Sequence, residues 1–351
     1  YTSGTTGDPK GVVYSHRSNV LHSMIVNSAD ALGAGSKDTL LPVVPLFHAN
    51  SWGTAFSAPS MGTKLVMPGA RLDGASVYDL LSSEKVTFAA GVPTVWLMLL
   101  QHMETDNLEL PDLKVVICGG SAMPRSIIKA FDDMGIEVRH AWGMTEMSPR
   151  GTVGALQGAF GHLKGDAKLD RLQMQGYAPF MVEMKLTDDA GKELPWDGDT
   201  PGRLKVRGPA ISAAYYRVDD NILDEDGFFD TGDVATLDSY GYLRITDRSK
   251  DVIKSGGEWI SSIDLENLAV GHPKVVEAAV IGVPHPKWGE RPLLIVQVKQ
   301  GETLTREEML DFMDGKIAKW WMPDDVAFVD SIPHTATGKI LKAALREQFK
   351  G

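Results

Sequence analysis

The chain reads as an α/β protein joined to a small α+β domain, on three observations. Short apolar runs alternate with helical stretches up to about residue 150, shorter strands with Gly, Asp and Pro turns occupy 151–249, and alternating charge at Asp247–Asp251 precedes a compact last unit. Strand and helix in alternation build a parallel sheet, and runs of short strands build an antiparallel barrel or sandwich. At 351 residues, 43% of them hydrophobic, the chain has enough apolar material for a large core and more than one domain.

Taken in order, Ser15 to about Gly33 has helical spacing at Val20, Met24 and Ala31, and Leu40–Val44 is a buried strand. Further strands are expected at Lys64–Met67, Val86–Ala90 and Val115–Cys118, separated by helices around Val77–Leu81, Thr94–His102 and Ser126–Met134. The β-rich part contributes Val182–Leu186, Gly202–Val206 and Tyr242–Ile245. The last unit mixes helices at Ser262–Val270, Arg306–Trp320 and Lys339–Phe349 with strands at Val275–Ile281, Leu293–Val298 and Val326–Val329. These readings give a large domain over 1–249, with a sheet region 1–150 and a β-rich subdomain 151–249, and a small mobile domain over 250–351.

A net charge of −11 argues against a nucleic-acid footprint, and no stretch is apolar for long enough to span a bilayer. The single cysteine, Cys118, rules out an internal disulfide and a multi-cysteine metal site. It suits a reducing cytoplasm. No signal peptide is visible.

Four segments carry chemistry. In the first, Tyr1-Thr-Ser-Gly-Thr-Thr-Gly-Asp-Pro-Lys-Gly11, the glycines Gly4, Gly7 and Gly11 let backbone N–H groups approach an anion. Thr2, Ser3, Thr5, Thr6 and Lys10 add hydroxyl donors and a positive charge, which together describe a triphosphate cradle. It is not a Walker loop, because no Gly-Lys pair in the chain is followed by Ser or Thr. The second, Ala141-Trp-Gly-Met-Thr-Glu146, is expected on a loop at the sheet's C-terminal edge, where ligands usually bind. There Trp142 offers a stacking face, Thr145 a phosphate donor, and Glu146 a hard oxygen for Mg²⁺. In the third, Asp233 and Arg248 offer a carboxylate and a guanidinium to ribose hydroxyls, with ordinary turn chemistry as the competing reading for Asp233. The fourth, Thr335-Ala-Thr-Gly-Lys339, sets a lysine on a turn ahead of a helix.

With YTSGTTGDPKGV, AWGMTE, FFDTGD, DRSKDVIKSGGEWIS and HTATGK in this order, the whole chain resembles the adenylate-forming superfamily of acyl-CoA synthetases, peptide-synthetase adenylation domains and beetle luciferases. The resemblance implies ATP, Mg²⁺ and CoA as co-substrates and a carboxylic acid as substrate. It gives the Ser3–Lys10 loop to the β- and γ-phosphates, Thr145 to the α-phosphate, and Glu146 to Mg²⁺. Trp142, with Gly143 and Met144 beside it, falls to the adenine, and Asp233 and Arg248 to the ribose. Gly119, Gly120 and Ser121 would lie between adenine and acyl group. Lys339 matches the catalytic lysine and Lys250 the hinge on which the small domain turns between half-reactions. After that turn Ser255, Gly256, Gly257, Glu258 and Trp259 would line the pantetheine path.

Pro45–Gly53 resembles the segment lining the acyl pocket, with His48 where amino-acid-activating relatives place an aspartate. Without that anion a desolvated α-ammonium would be unpaired, so an α-amino acid is disfavoured. His48, Trp52 and Gly119 then frame the pocket. FHANSWG and KSGGEWISS resemble the branch of medium- and long-chain fatty-acyl-CoA synthetases and 3-methylthiopropionate-CoA ligases, and Gln175–Glu183 leans toward the latter. Relatives in this family carry a further N-terminal region with sheet and homodimer surface. Competing readings are therefore an inactive fragment serving as a binding module, and a luciferase-like oxygenase.

Overall fold

The structure, a computed structural model, describes residues 1–2, 9–256, 258–335 and 338–350, with Glu258 described through its backbone alone. The candidate residues Ser3, Gly4, Thr5, Thr6, Gly7 and Gly257 lie outside the described residues. The chain divides into two compact units. One holds most of the chain to Arg244, and the other holds Gly232–Ala235 with everything from Ile245.

In the first unit α1 (His16–Val26) starts from a capping box, in which Ser15 and Ser18 each accept the other's backbone N–H. It stops well before the expected Gly33. Val20 and Met24 are exposed, the helix buries Ile25 and Val26, and the Leu32 N–H turns back to the Val26 carbonyl at 2.7 Å. There follow β1 (Thr39–Val43), α2 (Ala49–Trp52), α3 (Thr54–Met61), β2 (Lys64–Leu65), α4 (Gly74–Ser83), β3 (Phe88–Gly91) and α5 (Pro93–Asp106). Next come β4 (Val115–Cys118), α6 (Arg125–Asp133), β5 (Glu137–Gly143), β6 (Arg150–Val153) and α7 (Gly165–Gln173).

The six strands form one sheet in the order β2-β1-β3-β4-β5-β6, parallel through β5, with β6 antiparallel at the edge. Strands β3 and β4 are buried at every residue, as expected when both faces of a parallel sheet are covered. One core joins Val77, Leu81, Trp96 and Phe131 of the helices to Val116 and Cys118. A second joins Val26, Leu40, Phe88 and Ile117, with Trp52 and Ala141 packed against it. The strands β7 (Glu183–Thr187), β8 (Gly202–Arg207), β9 (Phe229–Leu237) and β10 (Leu243–Arg248) form a second sheet in the order β10-β9-β8-β7.

The second unit contains β11 (Ile253–Ser255), β12 (Glu258–Ile260), α8 (Ser262–Val270), β13 (Val275–His285), β14 (Gly289–Val298), α9 (Arg306–Met313), β15 (Asp325–Val329) and α10 (Lys342–Gln348). Its sheet runs β12-β11-β14-β13, with β15 parallel to β14. The helix expected over Arg306–Trp320 ends at Met313, because Asp314 is extended and Gly315 takes φ +72°. A 3₁₀ turn over Lys319–Trp321 covers the remainder. Among the described residues no helix is long and apolar enough to cross a membrane.

Candidate active site

The Ala141–Glu146 segment departs from the expected loop. Ala141, Trp142 and Gly143 close strand β5, and Thr145 and Glu146 open a 3₁₀ turn. The glycines hold this geometry. A Cβ on Gly143 would lie 2.1 Å from the Pro149 carbonyl oxygen, and one on Gly151 would lie 2.5 Å from the Trp142 ring. The turn therefore presses Met144, Thr145 and Glu146 against the start of β6.

Around that turn, two tyrosines that the sequence reading passed over make the close contacts. Tyr215 donates its hydroxyl to Glu146 Oε1 at 2.7 Å, and Tyr14 donates to the Thr145 carbonyl at 2.6 Å. Burial first, and the Glu146 carboxylate second, push both phenol pKa values upward, so each stays a neutral donor. Lys10 Nζ lies 4.7 Å from the centre of the Tyr215 ring, a cation–π distance. Thr2 and Lys10 clasp the ends of the first loop, the Thr2 N–H donating to the Lys10 carbonyl at 2.9 Å and the Lys10 N–H to Thr2 Oγ1 at 3.0 Å. A lysine and a carboxylate thus share one tyrosine.

Glu146 suits Mg²⁺ as a single protein ligand. The residue is 5% exposed, one carboxylate oxygen is oriented by Tyr215, and among the described residues no group of three His, Cys, Asp or Glu is placed to hold a metal ion. Mg²⁺ keeps most of its waters and is usually held by one or two carboxylates together with substrate phosphates.

The candidate acyl wall is also assembled in this unit. A Cβ on Gly119 would lie 3.0 Å from the Ala141 carbonyl oxygen and 3.4 Å from Trp52 Cη2, so the glycine brings the indole against the end of β4. Gly120 next to it takes φ +85°, and Ser121 is exposed. Trp52 ends a left-handed turn in which Ala49, Asn50, Ser51 and Trp52 have φ of 46°, 55°, 57° and 55°. Such a conformation costs roughly 1–2 kcal/mol per non-glycine residue. Ser51 anchors it, buried and donating its hydroxyl to the Val44 carbonyl at 2.7 Å. His48 precedes the turn and is half-buried.

In the second unit, Arg248 Nε pairs with the buried Asp233 carboxylate at 2.8 Å, which brings two of the expected residues together. Lys339 closes a tight turn: the Thr335 N–H donates to its carbonyl at 2.8 Å and its own N–H to Thr335 Oγ1 at 3.2 Å. Lys250 is exposed on the turn after β10. Ser255 is buried, and Gly256, at φ +60°, packs on Trp288 and Trp320, whose rings meet edge to face at 4.7 Å. Trp259 faces Lys254 across the β11–β12 hairpin. The Trp288–Trp320 pair and the buried Lys342 beyond Lys339 were invisible as a site in the sequence, since nothing local joins residues so far apart in the chain.

Comparison with known proteins gives the family. The chain belongs to the AMP-binding enzymes: the family model matches residues 1–216, and the model of the AMP-binding enzyme C-terminal domain matches 264–339. It is 51% identical over its full length to a 3-methylmercaptopropionyl-CoA ligase of Ruegeria lacuscaerulensis, and 49% identical over 99% of its length to a medium-chain-fatty-acid–CoA ligase of Ectopseudomonas oleovorans. The chain spans 65% and 64% of the lengths of these relatives. Among solved structures, it matches ATP-bound MatB from Rhodopseudomonas palustris with a TM-score of 0.85 at 31% identity, covering all of this chain and 67% of that one. It also matches the o-succinylbenzoate coenzyme A synthetase of Bacillus subtilis in complex with ATP and magnesium ion, at TM-score 0.84 and 26% identity, over 99% and 69% of the two chains.

Proposed function

We propose that the chain is the nucleotide- and acid-binding part of an AMP-forming acyl-CoA synthetase. A carboxylate oxygen attacks the α-phosphorus of ATP and expels pyrophosphate. The thiol sulfur of CoA then attacks the acyl carbon, giving the thioester, AMP and a proton. The observation that carries this reading is the Tyr215-oriented Glu146 carboxylate with Lys10 on the same ring, an anion-and-magnesium arrangement on the AWGMTE turn. Thr145 would meet the α-phosphate, Trp142 the adenine, and the Asp233–Arg248 pair the ribose. Lys339 would serve adenylation, and Ser255, Gly256 and Trp259 the pantetheine arm.

The relatives' names favour 3-methylthiopropionate or a medium- or long-chain fatty acid. The left-handed turn that lays Trp52 on Gly119 supports an aromatic-lined acid site. A cytoplasmic setting agrees with Cys118 as a buried free thiol. The deciding assay is CoA- and ATP-dependent AMP release by the full-length gene product across 3-methylthiopropionate and C4, C8, C12 and C16 acids. Acid-dependent AMP is expected; ATP binding without turnover of any acid would refute the ligase reading.

Lys250→Pro tests the hinge. Proline fixes φ near −65° and so blocks a large dihedral change at that position. Thioester formation is expected to fall more than adenylation when the half-reactions are timed separately. Equal losses in both would remove Lys250 from that role.

A further inference from the structure

The turn that presents Lys339 fixes its own shape but not its place on the domain. Its backbone bonds run from the Thr335 N–H to the Lys339 carbonyl at 2.8 Å, from the Gly338 N–H to the Thr335 carbonyl at 2.9 Å, and from the Leu341 N–H to the Pro333 carbonyl at 2.8 Å. They close a hairpin whose limbs meet at the bridge between His334 and Ile340. Strand β13 supplies the place. Residues two apart on a strand share a face, and Glu277, Ala279 and Ile281 form such a row. Ala279 and Ile281 share one apolar cluster with the buried Ile332 and Leu345, and Ile340 packs against it. Glu277 continues the row beyond Ala279, and His334, two residues after Ile332, sets its Nε2 2.8 Å from Glu277 Oε1. The two side chains are 28% and 18% exposed, so the contact is largely shielded from water, where a charged hydrogen bond keeps more of its strength.

The surroundings of the ring favour its charged form. It meets two acceptors, the Glu277 carboxylate and the Ile332 carbonyl. A neutral imidazole has one N–H to give and an imidazolium two, so each acceptor receives its own donor only after protonation. The hydrogen bond to Glu277 first, opposed by burial, raises the His334 pKa above its ordinary 6.5. Glu277 is the charged group that produces this shift. In the same row of the sheet, β14 places Gln297 and β15 places Val329, both uncharged. Of the cations on neighbouring elements, Lys342 and Arg346 of α10 pair with Glu266 and Asp251, and Lys274, ahead of β13, pairs with Glu308.

Resting on the assignment of Lys339 to adenylation, we propose that His334 is a positioning residue whose imidazolium, clamped on Glu277, holds the Lys339 turn on β13 and makes adenylation sensitive to pH. The clamp acts at the base of the hairpin, one residue across the bridge from Lys339, so slack there moves the lysine without unfolding the turn. The direction of the pH effect follows from linkage. A histidine pKa raised in the folded state gives a contribution that is complete below about pH 6.5 and is lost as pH rises through the raised value.

The test uses the full-length gene product with His334→Gln, which keeps a donor without charge, His334→Arg, which is charged at every pH, and Glu277→Gln. Three quantities are read at about pH 6 and about pH 9: acid-dependent pyrophosphate exchange, thioester formation from supplied acyl-adenylate, and hydrogen exchange at the Thr335 and Lys339 amides. At the lower pH, His334→Gln should slow pyrophosphate exchange roughly 3–10-fold, through kcat with KM unchanged, the effect of losing one partly shielded charged hydrogen bond. At the higher pH, where the wild-type ring has lost its proton, the difference should shrink to about twofold or less. His334→Arg should keep the fast rate at both, Glu277→Gln should match His334→Gln, and thioester formation should be unchanged throughout. Protection of the two amides should fall in His334→Gln at the lower pH alone. A ratio of wild type to His334→Gln that is the same at both pH values would overturn the proposal, because shape and not charge would then be at work. Equal losses in both half-reactions would overturn it as well, marking the pair as support for the whole domain. A wild type without acid-dependent exchange would sink the ligase reading, and the amides would then decide the clamp: pH-dependent protection lost in His334→Gln upholds it, and unchanged protection overturns it.

Discussion

Lys339→Ala is expected to slow adenylation on the order of 10²–10³-fold, the loss typical when one preorganised donor to developing charge is removed, about 2.7–4 kcal/mol. The expectation rests on what adenylation requires. Two anions, the attacking carboxylate and the α-phosphate, must approach, and a cation between them lowers the repulsion while fixing the line of attack. The fold gives Lys339 a defined backbone for that role. Hydrogen bonds from the Thr335 N–H and to Thr335 Oγ1 close its turn, Gly338 at φ +78° permits it, and the Leu341 N–H ties the far side to the Pro333 carbonyl at 2.8 Å. Alanine keeps every one of those backbone bonds, so the variant should fold and melt as the wild type does. Acid-dependent pyrophosphate exchange reads the adenylation half alone. An exchange rate within threefold of the wild type would remove Lys339 from the chemistry, and an intact rate of thioester formation from supplied acyl-adenylate would confine its part to the first half.

The parallel sheet was legible because its strands are short, apolar and separated by amphipathic helices, and Val115–Cys118 and Ser262–Val270 fall where the pattern put them. Boundaries governed by single backbone angles were not legible. Val20 and Met24 supply helical spacing yet face outward, and the extended Asp314 with Gly315 at φ +72° ends α9 short of the expected Trp320. The site divides in the same way. Motif residues such as Glu146, Asp233, Arg248 and Lys339 announce themselves by type and neighbours. Tyr215, which orients Glu146 from 69 residues away, carries no local signal, and neither does His22, whose tie to Arg150 spans 128 residues. Pairings of that kind become visible only when the sheet brings the strand ends together.

Lys342→Met is expected to destabilise the second unit by about 3–5 kcal/mol, the cost of breaking a buried ion pair from one side. Lys342 Nζ lies 2.7 Å from Glu266 Oε1 and also contacts Ser262 Oγ, with the two side chains of the ion pair 11% and 14% exposed. Burial alone would lower the lysine's pKa, but Glu266, Asp247 and Asp251 outweigh it and hold the amine protonated. Glu266 Oε1 also accepts the Val280 N–H, and buried Asp247 accepts the N–H groups of Ser262 and Arg248, so the lysine closes a network joining α8, β13, β10 and α10. At the other end of α10, Arg346 pairs with Asp251. The helix that follows Lys339 is therefore tied to residues 247–251, the stretch that contains Lys250. Methionine fills the volume but leaves Glu266 buried without its partner, whereas Lys342→Met with Glu266→Leu removes both members of the pair and should recover much of the loss, a non-additivity that contacting residues show. Urea unfolding of the single and double variants measures the difference, and hydrogen exchange on α10 locates it. A single variant within about 1 kcal/mol of the wild type would show that the pair contributes no more than a surface ion pair does. Slow adenylation in Lys342→Met, restored in the double variant while Lys339 is unchanged, would show that the network acts by holding the turn on which Lys339 sits.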